Sequence, residues 1–123
     1  MGRNLVCDQR IQTMEDYLKS YGLNQKLLRL DRYERSFFGY ETGEDVLPGE
    51  LTLVRAKMYE VRHFIMSMKN GDEKLILYYH YIRGESVEKC AELLGIARSS
   101  GFRLKKRALL RAAEHYEKTK SKE

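Results

Sequence analysis

The chain is poor in residues that interrupt helices and in residues that cross-link small secreted domains. One proline and nine glycines among 123 residues are too few for a loop-rich β fold and are compatible with helices. The two cysteines, Cys7 and Cys90, lie far apart in the sequence and cannot make a disulfide framework. We therefore expect an all-α protein in a reducing, cytoplasmic compartment.

Long apolar stretches are also missing. No run of apolar residues approaches the roughly 20 that a membrane-spanning helix needs. The N-terminus lacks the apolar centre of a secretory signal. We expect a soluble protein without a membrane partner.

Motifs that carry chemistry are absent as well. The sequence has no glycine-rich phosphate loop, nucleophile motif or cofactor fingerprint. The three histidines, His63, His80 and His115, have no metal-ligating partner three or four residues away. We expect no enzymatic activity, no cofactor and no metal site.

What the chain does have is positive charge concentrated at one end. From Ala97 onward nine lysines and arginines face three acids, a net charge of +6, whereas the whole chain carries +5. The first 96 residues are therefore close to neutral. A basic end beside a near-neutral body is typical of proteins that bind polyanions, although a solvated helix face gives the same pattern.

Helical periodicity runs through almost the whole chain. Residues 1–38 form an N-terminal helical segment in which an apolar stripe restarts in a shifted register after Gly22, and this shift predicts a break or bend there. Residues 39–49 hold three glycines and the only proline, so we interpret them as a linker. The two parts of the stripe are Ile11, Met14, Leu18 and Tyr21, and then Leu23, Leu27 and Leu30.

Residues 50–70 predict a long helix with strict heptad spacing. Its seam can pack against residues 8–37 of the same chain, as a hairpin, or against a second copy, giving a homodimer through residues 51–68. The sequence leaves both alternatives open. The seam consists of Leu51, Val54, Met58, Val61, Ile65 and Met68.

Residues 71–118 predict a compact helical unit, followed by a polar tail at 119–123. A short helix with an inward stripe precedes Gly95, whose freedom to adopt positive φ suits a tight turn between helices. Ala91 must be small if the next helix, which begins near Ala97, is to cross closely. Gly101 is unusual inside that helix, and a close crossing would explain it. This spacing is typical of a helix-turn-helix.

The outward face of the second helix supplies the candidate DNA contacts. Early residues of a recognition helix meet base edges, while later and flanking cations hold phosphates. The base-reading candidates are Arg98, Ser99, Phe102 and Arg103; the phosphate candidates are Ser100, Lys105, Lys106, Arg107 and Arg111.

Three stretches of this unit resemble region four of bacterial sigma factors. They are similar, more specifically, to the ArpU/RinA type of late-gene transcriptional regulators of Gram-positive phages and prophages. The resemblance covers about residues 72–113 and implies a DNA-binding activator with a helix-turn-helix fold. The stretches are Tyr81–Ser86, Ala91–Ser100 and Arg103–Leu109. Gly101 stands where an aliphatic residue is usual, and Ala97 stands where serine or threonine often caps the recognition helix.

The resemblance and the charge together lead us to expect a sequence-specific regulator of transcription that binds double-stranded DNA. The helical N-terminal half would serve as a hairpin or coiled-coil-like arm that dimerises or contacts RNA polymerase. One alternative is a phage DNA-packaging protein of the small-terminase kind, which also joins such a motif to oligomerising helices. Another is a three-helix module that binds protein and has lost DNA contact.

Overall fold

The described part of the chain contains five α-helices and no strand, so the expected all-α class is confirmed. The structure is a computed structural model that describes the backbone of residues 2–38 and 48–121 and the side chains of residues 8–33 and 51–120. The helices are α1 (Gly2–Phe38), α2 (Pro48–Met66), α3 (Gly71–Leu77), α4 (Val87–Leu94) and α5 (Arg98–Ser121), with a π-helical turn at Tyr78–Ile82 that continues α3.

α1 continues through Gly22, so the predicted break at this glycine is wrong, whereas the alternative of a bend stays a prediction. A single glycine costs a helix only about 1 kcal/mol relative to alanine, which tertiary packing readily outweighs. The register shift instead reflects a change of helix face, because the two parts of the apolar stripe lie on opposite sides of α1. Met14, Leu18 and Tyr21 are buried, whereas the second part of the stripe lies on the opposite side of the helix and is exposed. The exposed fractions of Leu23, Leu27 and Leu30 are 63%, 54% and 54%.

α1 and α2 pack as a hairpin, the intramolecular alternative for the heptad seam. Val61, Ile65 and Met68 of the seam are buried together with residues of α1. The rings of Tyr17 and Phe64 meet edge to face with centroids 5.8 Å apart. The first half of the seam, before Met58, is only half-buried. A homodimer through residues 51–68 stays a prediction, and it cannot use the buried half without opening the hairpin.

The structure differs from the sequence-based prediction at the end of the linker and at the start of the tail. Nine residues of the predicted linker, 39–47, lie outside the described residues, and the remaining two begin α2. Proline is well tolerated at the first helical position, because its missing N–H would have no intrahelical acceptor there. The predicted tail is helical as far as Ser121, and residues 122–123 lie outside the described residues.

α3 is short, and its continuation as a π-helical turn sets which residues face the core. Asn70 caps α3 by accepting a hydrogen bond from the Glu73 N–H. The buried residues Ile76 and Leu77 are followed five positions later by Tyr81 and Ile82, also buried. A five-residue spacing on one face is what an i→i+5 turn produces.

One core draws on all the helices. It combines the inner stripe of α1, the second half of α2, the end of α3 with its π-helical turn, and the inner faces of α4 and α5. Within the described residues, no helix is both long enough and apolar enough to cross a membrane. The core holds the inner face of α5 and so fixes the position of its first turns, where the base-reading candidates lie.

Candidate nucleic-acid interface

The close approach of α4 and α5 positions the candidate surface. Gly95 has φ +72° and ends α4, and α5 begins three residues later at Arg98. A Cβ built on Gly101 would lie 2.9 Å from the Cβ of Ala91, closer than real Cβ contacts. The expectation that both positions must be small because the helices cross closely is therefore confirmed. Gly101 lets α4 lie directly behind the first turns of α5.

The four base-reading candidates share one exposed side of these first turns. Arg98, Ser99, Phe102 and Arg103 are all exposed, and Lys106, one turn further on, lies on the same side. The opposite side holds Gly101, Leu104 and Ala108, which are buried against the core. The structure thus brings together the four residues predicted from the sequence, with one cation from the phosphate set.

Local contacts hold this face only loosely. Arg98 pairs with Glu88 of α4 at 3.2 Å, and its guanidinium carbon lies 6.0 Å from the ring centroid of Phe102. Arg103 donates to the Ser100 hydroxyl at 3.4 Å. Exposed ion pairs of this kind contribute roughly 1 kcal/mol or less. Both guanidinium groups can therefore exchange these partners for bases or phosphates at low cost.

Lys105 points away from this face and towards α1. Its amine lies 3.1 Å from Glu15 Oε2 and 5.9 Å from the centre of the Tyr81 ring. The Tyr81 hydroxyl donates to the same carboxylate oxygen of Glu15. Lys105 thus joins α5 to α1 and to the π-helical turn, and its charge already has an acidic partner within the chain.

Opposing effects set the protonation of Glu15. Burial disfavours the charged carboxylate, whereas the hydrogen bonds from Tyr81 and Lys105 and the charges of Lys105 and Lys19 favour it. The favourable contacts prevail, so the pKa of Glu15 lies below its ordinary value of 4.5. At neutral pH this carboxylate is charged and holds Lys105.

Arg107 and Arg111 lie on a third side of α5, facing α3. Their Nε atoms lie 3.3 Å and 3.9 Å from Oε2 of Glu73. The Glu73 side chain is almost fully buried, whereas both arginine side chains are more than half exposed. A buried carboxylate requires such partners, because an unpaired buried charge is strongly destabilising. Part of the basic charge of α5 therefore stabilises the fold.

The predicted phosphate set is thus divided among three sides of one helix. Lys106 lies beside the base-reading candidates, Lys105 faces α1, and Arg107 and Arg111 face α3. Ser100 is half-buried and accepts from Arg103. Their phosphate-binding role stays a prediction for all five, and Lys106 is the one cation of the set that pairs with no carboxylate of the described residues.

Sequence reasoning missed the two acids that organise this region, Glu15 and Glu73. They lie 90 and 34 residues from their partners Lys105 and Arg107, so no local spacing relates them. Glu73 carried one signal, since it follows the helix-capping Asn70 by three residues. That position explains a helix start, although it does not reveal a buried ion pair.

Two other kinds of site concern the part of the chain that the structure describes: a metal site and a reactive cysteine. There, no group of three or more His, Cys, Asp or Glu side chains is placed to hold a metal ion. Cys90 is fully buried, and burial raises the pKa of its thiol above the ordinary value. A protonated, inaccessible thiol is a poor nucleophile.

Comparison with family models, with curated proteins and with solved structures found no match to this chain.

Proposed function

We propose that this protein binds double-stranded DNA sequence-specifically and regulates transcription, in the manner of the sigma-region-four-like regulators that residues 72–113 resemble. The observation that carries the proposal is the exposed face of α5, where two arginines, a serine and an aromatic ring cluster in the first two turns. Arginine hydrogen-bonds the O6 and N7 atoms of guanine, and an apolar ring contacts the thymine methyl group. RNA polymerase is the partner that such regulators imply.

In this proposal the residues have separate tasks. Arg98, Ser99, Phe102 and Arg103 read base edges in the major groove, and Lys106 contacts a phosphate beside them. Lys105 contributes less to DNA affinity than Lys106, because Glu15 neutralises its charge at 3.1 Å. α4, packed against Gly101, supports α5 from behind.

The test begins with selection of preferred duplexes from a random pool, followed by affinity measurements on the selected and on a scrambled duplex. Arg98→Ala and Arg103→Ala should each lose roughly 1–3 kcal/mol on the selected duplex, the cost of one lost base contact, with little change on the scrambled one. Lys106→Ala should weaken binding to both alike and reduce the slope of log affinity against log salt by roughly 0.9.

Lys105→Ala is the matched comparison, since it removes the same charge one residue away. Its effect on the salt slope should be smaller than that of Lys106→Ala, because its amine is already paired. Equal losses on both duplexes for all four variants would contradict the division into base and phosphate contacts. If no duplex binds at low salt, DNA binding itself is ruled out, and ring-shaped oligomers in light scattering would favour the packaging alternative.

A further inference from the structure

A second basic surface lies apart from the exposed face of α5. Lys26 and Arg29 of α1, Arg62 of α2 and Arg83, which follows the π-helical turn, line one open groove of about 710 Å³. All four side chains are exposed, and no acidic side chain among the described residues lines the groove. We name it the flank groove.

The four cations of the flank groove differ from those of α5 in their partners. Within the described residues, none of them lies within ion-pair distance of a carboxylate, unlike Lys105, Arg107 and Arg111 of α5. Cations that converge on a concave surface without counter-charges produce a focused positive potential that attracts anions. They come from three separate elements, so the charge of one solvated helix face does not account for them.

The floor of the groove indicates which kind of anion fits. Three tyrosines line it, and two of them, Tyr21 and Tyr81, are buried, with exposed fractions of 7%. The third, Tyr78, is half-buried and packs edge to face against Tyr79, with ring centroids 6.4 Å apart. Two of the three rings therefore offer no face on which a base or nucleotide can stack. The accessible donors are guanidinium and ammonium groups at the rim, which suit phosphate oxygens of an extended backbone.

α1 and Tyr81 connect the flank groove with the surface beside α5. Glu15 lies beside Phe102 and Lys105, and Gly22, Lys26 and Arg29 follow on the same side of α1, at helical spacings from Glu15. Tyr81 connects the two surfaces, because its hydroxyl donates to Glu15 and its ring lines the groove. From Glu15 to Arg29, α1 rises roughly 20 Å at 1.5 Å per residue, which corresponds to about six base pairs of duplex.

We propose that the flank groove binds the phosphate backbone of the DNA duplex beyond the segment that α5 reads. The proposal depends on the proposed function, since it extends the same duplex along α1. The position of Arg83 supports this course of the duplex along α1, because Arg83 lies three residues before Ser86, the N-cap of α4. The first helix of such a motif crosses the DNA backbone, so Arg83 lies near the phosphates.

The experiment compares a duplex of about 12 base pairs, covering only the selected site, with one of about 24 base pairs centred on it. The double variant Arg29→Gln/Arg62→Gln tests the groove in the full-length chain. Lys57→Gln/Lys69→Gln is the control, because it removes two exposed charges that do not line the groove. Thermal unfolding should show that both variants fold like the wild type, since all four side chains are exposed.

We expect the groove variant to lose affinity for the long duplex by about 10- to 100-fold near 0.1 M salt and to reduce its salt slope by roughly 1.8, for two lost phosphate contacts. Its binding to the short duplex should match that of the wild type. The control should bind both duplexes like the wild type.

Two results would overturn the proposal while leaving DNA binding intact. One is equal affinity of wild type and groove variant for the long duplex; the other is an equal loss for groove and control variants. If a polyglutamate peptide then binds the wild type and not the groove variant, the groove takes an acidic protein segment. Failure of the wild type to bind either duplex would instead refute the proposed function.

Discussion

At the scale of single residues, Gly101 decides how closely α4 and α5 can pack. A methyl group there would lie 2.9 Å from the Cβ of Ala91 and 3.6 Å from Val87 Cγ1. These neighbours are short, rigid side chains that cannot swing aside. The helices themselves must separate to admit the methyl group.

This contact makes a double-mutant cycle informative. Gly101→Ala gains about 1 kcal/mol of helix propensity and loses about 1–3 kcal/mol through overpacking, so we expect net destabilisation. Ala91→Gly alone should be destabilising because it places glycine inside α4. The double variant Ala91→Gly/Gly101→Ala should be more stable than the sum of the single effects predicts, because Ala91→Gly removes the Cβ that the methyl group at position 101 would clash with. Urea unfolding of the wild type and the three variants supplies the four free energies of unfolding, and strict additivity would contradict the close-crossing explanation.

The same position shows what a sequence can and cannot reveal. A glycine within a basic, otherwise helical stretch predicted a close crossing, because no other local reason explains it. The sequence could not predict that Arg107 and Arg111 serve a buried carboxylate, since Glu73 comes from a helix far away in the chain. Charge is easy to count in a sequence, but its partners depend on tertiary packing.

At the scale of helices, α1 has two apolar stripes on opposite sides. The first packs into the core through Leu18, whereas the second, through Leu27, faces outward. The periodicity of each stripe could be seen in the sequence. Whether the second stripe faces the core could not, because a register shift is produced equally by a break in the helix and by a change of face.

Substitutions in the two stripes should therefore have very different effects on the free energy of unfolding. Leu18→Ala should cost roughly 2–5 kcal/mol, since this side chain is fully buried. Leu27→Lys should change the free energy of unfolding by no more than about 0.5 kcal/mol, as is usual for exposed positions. Circular dichroism during urea unfolding supplies both values, with light scattering to record the oligomeric state. A large loss for Leu27→Lys would show that the outer stripe is covered in solution.

At the scale of the whole molecule, Glu15 connects segments that are distant in sequence. Its carboxylate accepts from Tyr81 and pairs with Lys105, so one side chain joins α1, the π-helical turn and α5. The sequence predicted helices in the regions of α1 and α5 and their order, without the π-helical turn. It could not predict this junction, because contacts over 66 and 90 residues leave no periodic trace.

The lowered pKa of Glu15 gives the junction a defined pH dependence. A carboxyl group whose pKa is lower in the folded state stabilises the fold at pH values above 4.5, its ordinary pKa. This stabilisation is lost as the pH falls below 4.5 and through the folded-state pKa. Glu15→Gln should therefore be less stable than the wild type at pH 7, and the difference should shrink under acidic conditions. Tyr81→Phe should also be less stable than the wild type at pH 7, with a difference that shrinks under acidic conditions, because it removes the hydrogen bond that favours the charged form of Glu15.

Thermal unfolding between pH 3 and pH 7 measures this effect. Asp16→Asn, on the exposed side of the same helix, is the control and should leave the acid profile of the wild type unchanged. A Glu15→Gln profile parallel to the wild type over this range would show that the junction contributes nothing to acid sensitivity.

The continuity of α1 through Gly22 has a mechanical consequence. A helix of 37 residues is roughly 55 Å long, and its two apolar stripes lie on opposite sides along it. Because the inner stripe is anchored in the core, the direction in which Leu23, Leu27 and Leu30 point is fixed relative to α5. Any molecule bound at those leucines would therefore have a fixed distance and orientation relative to the exposed face of α5.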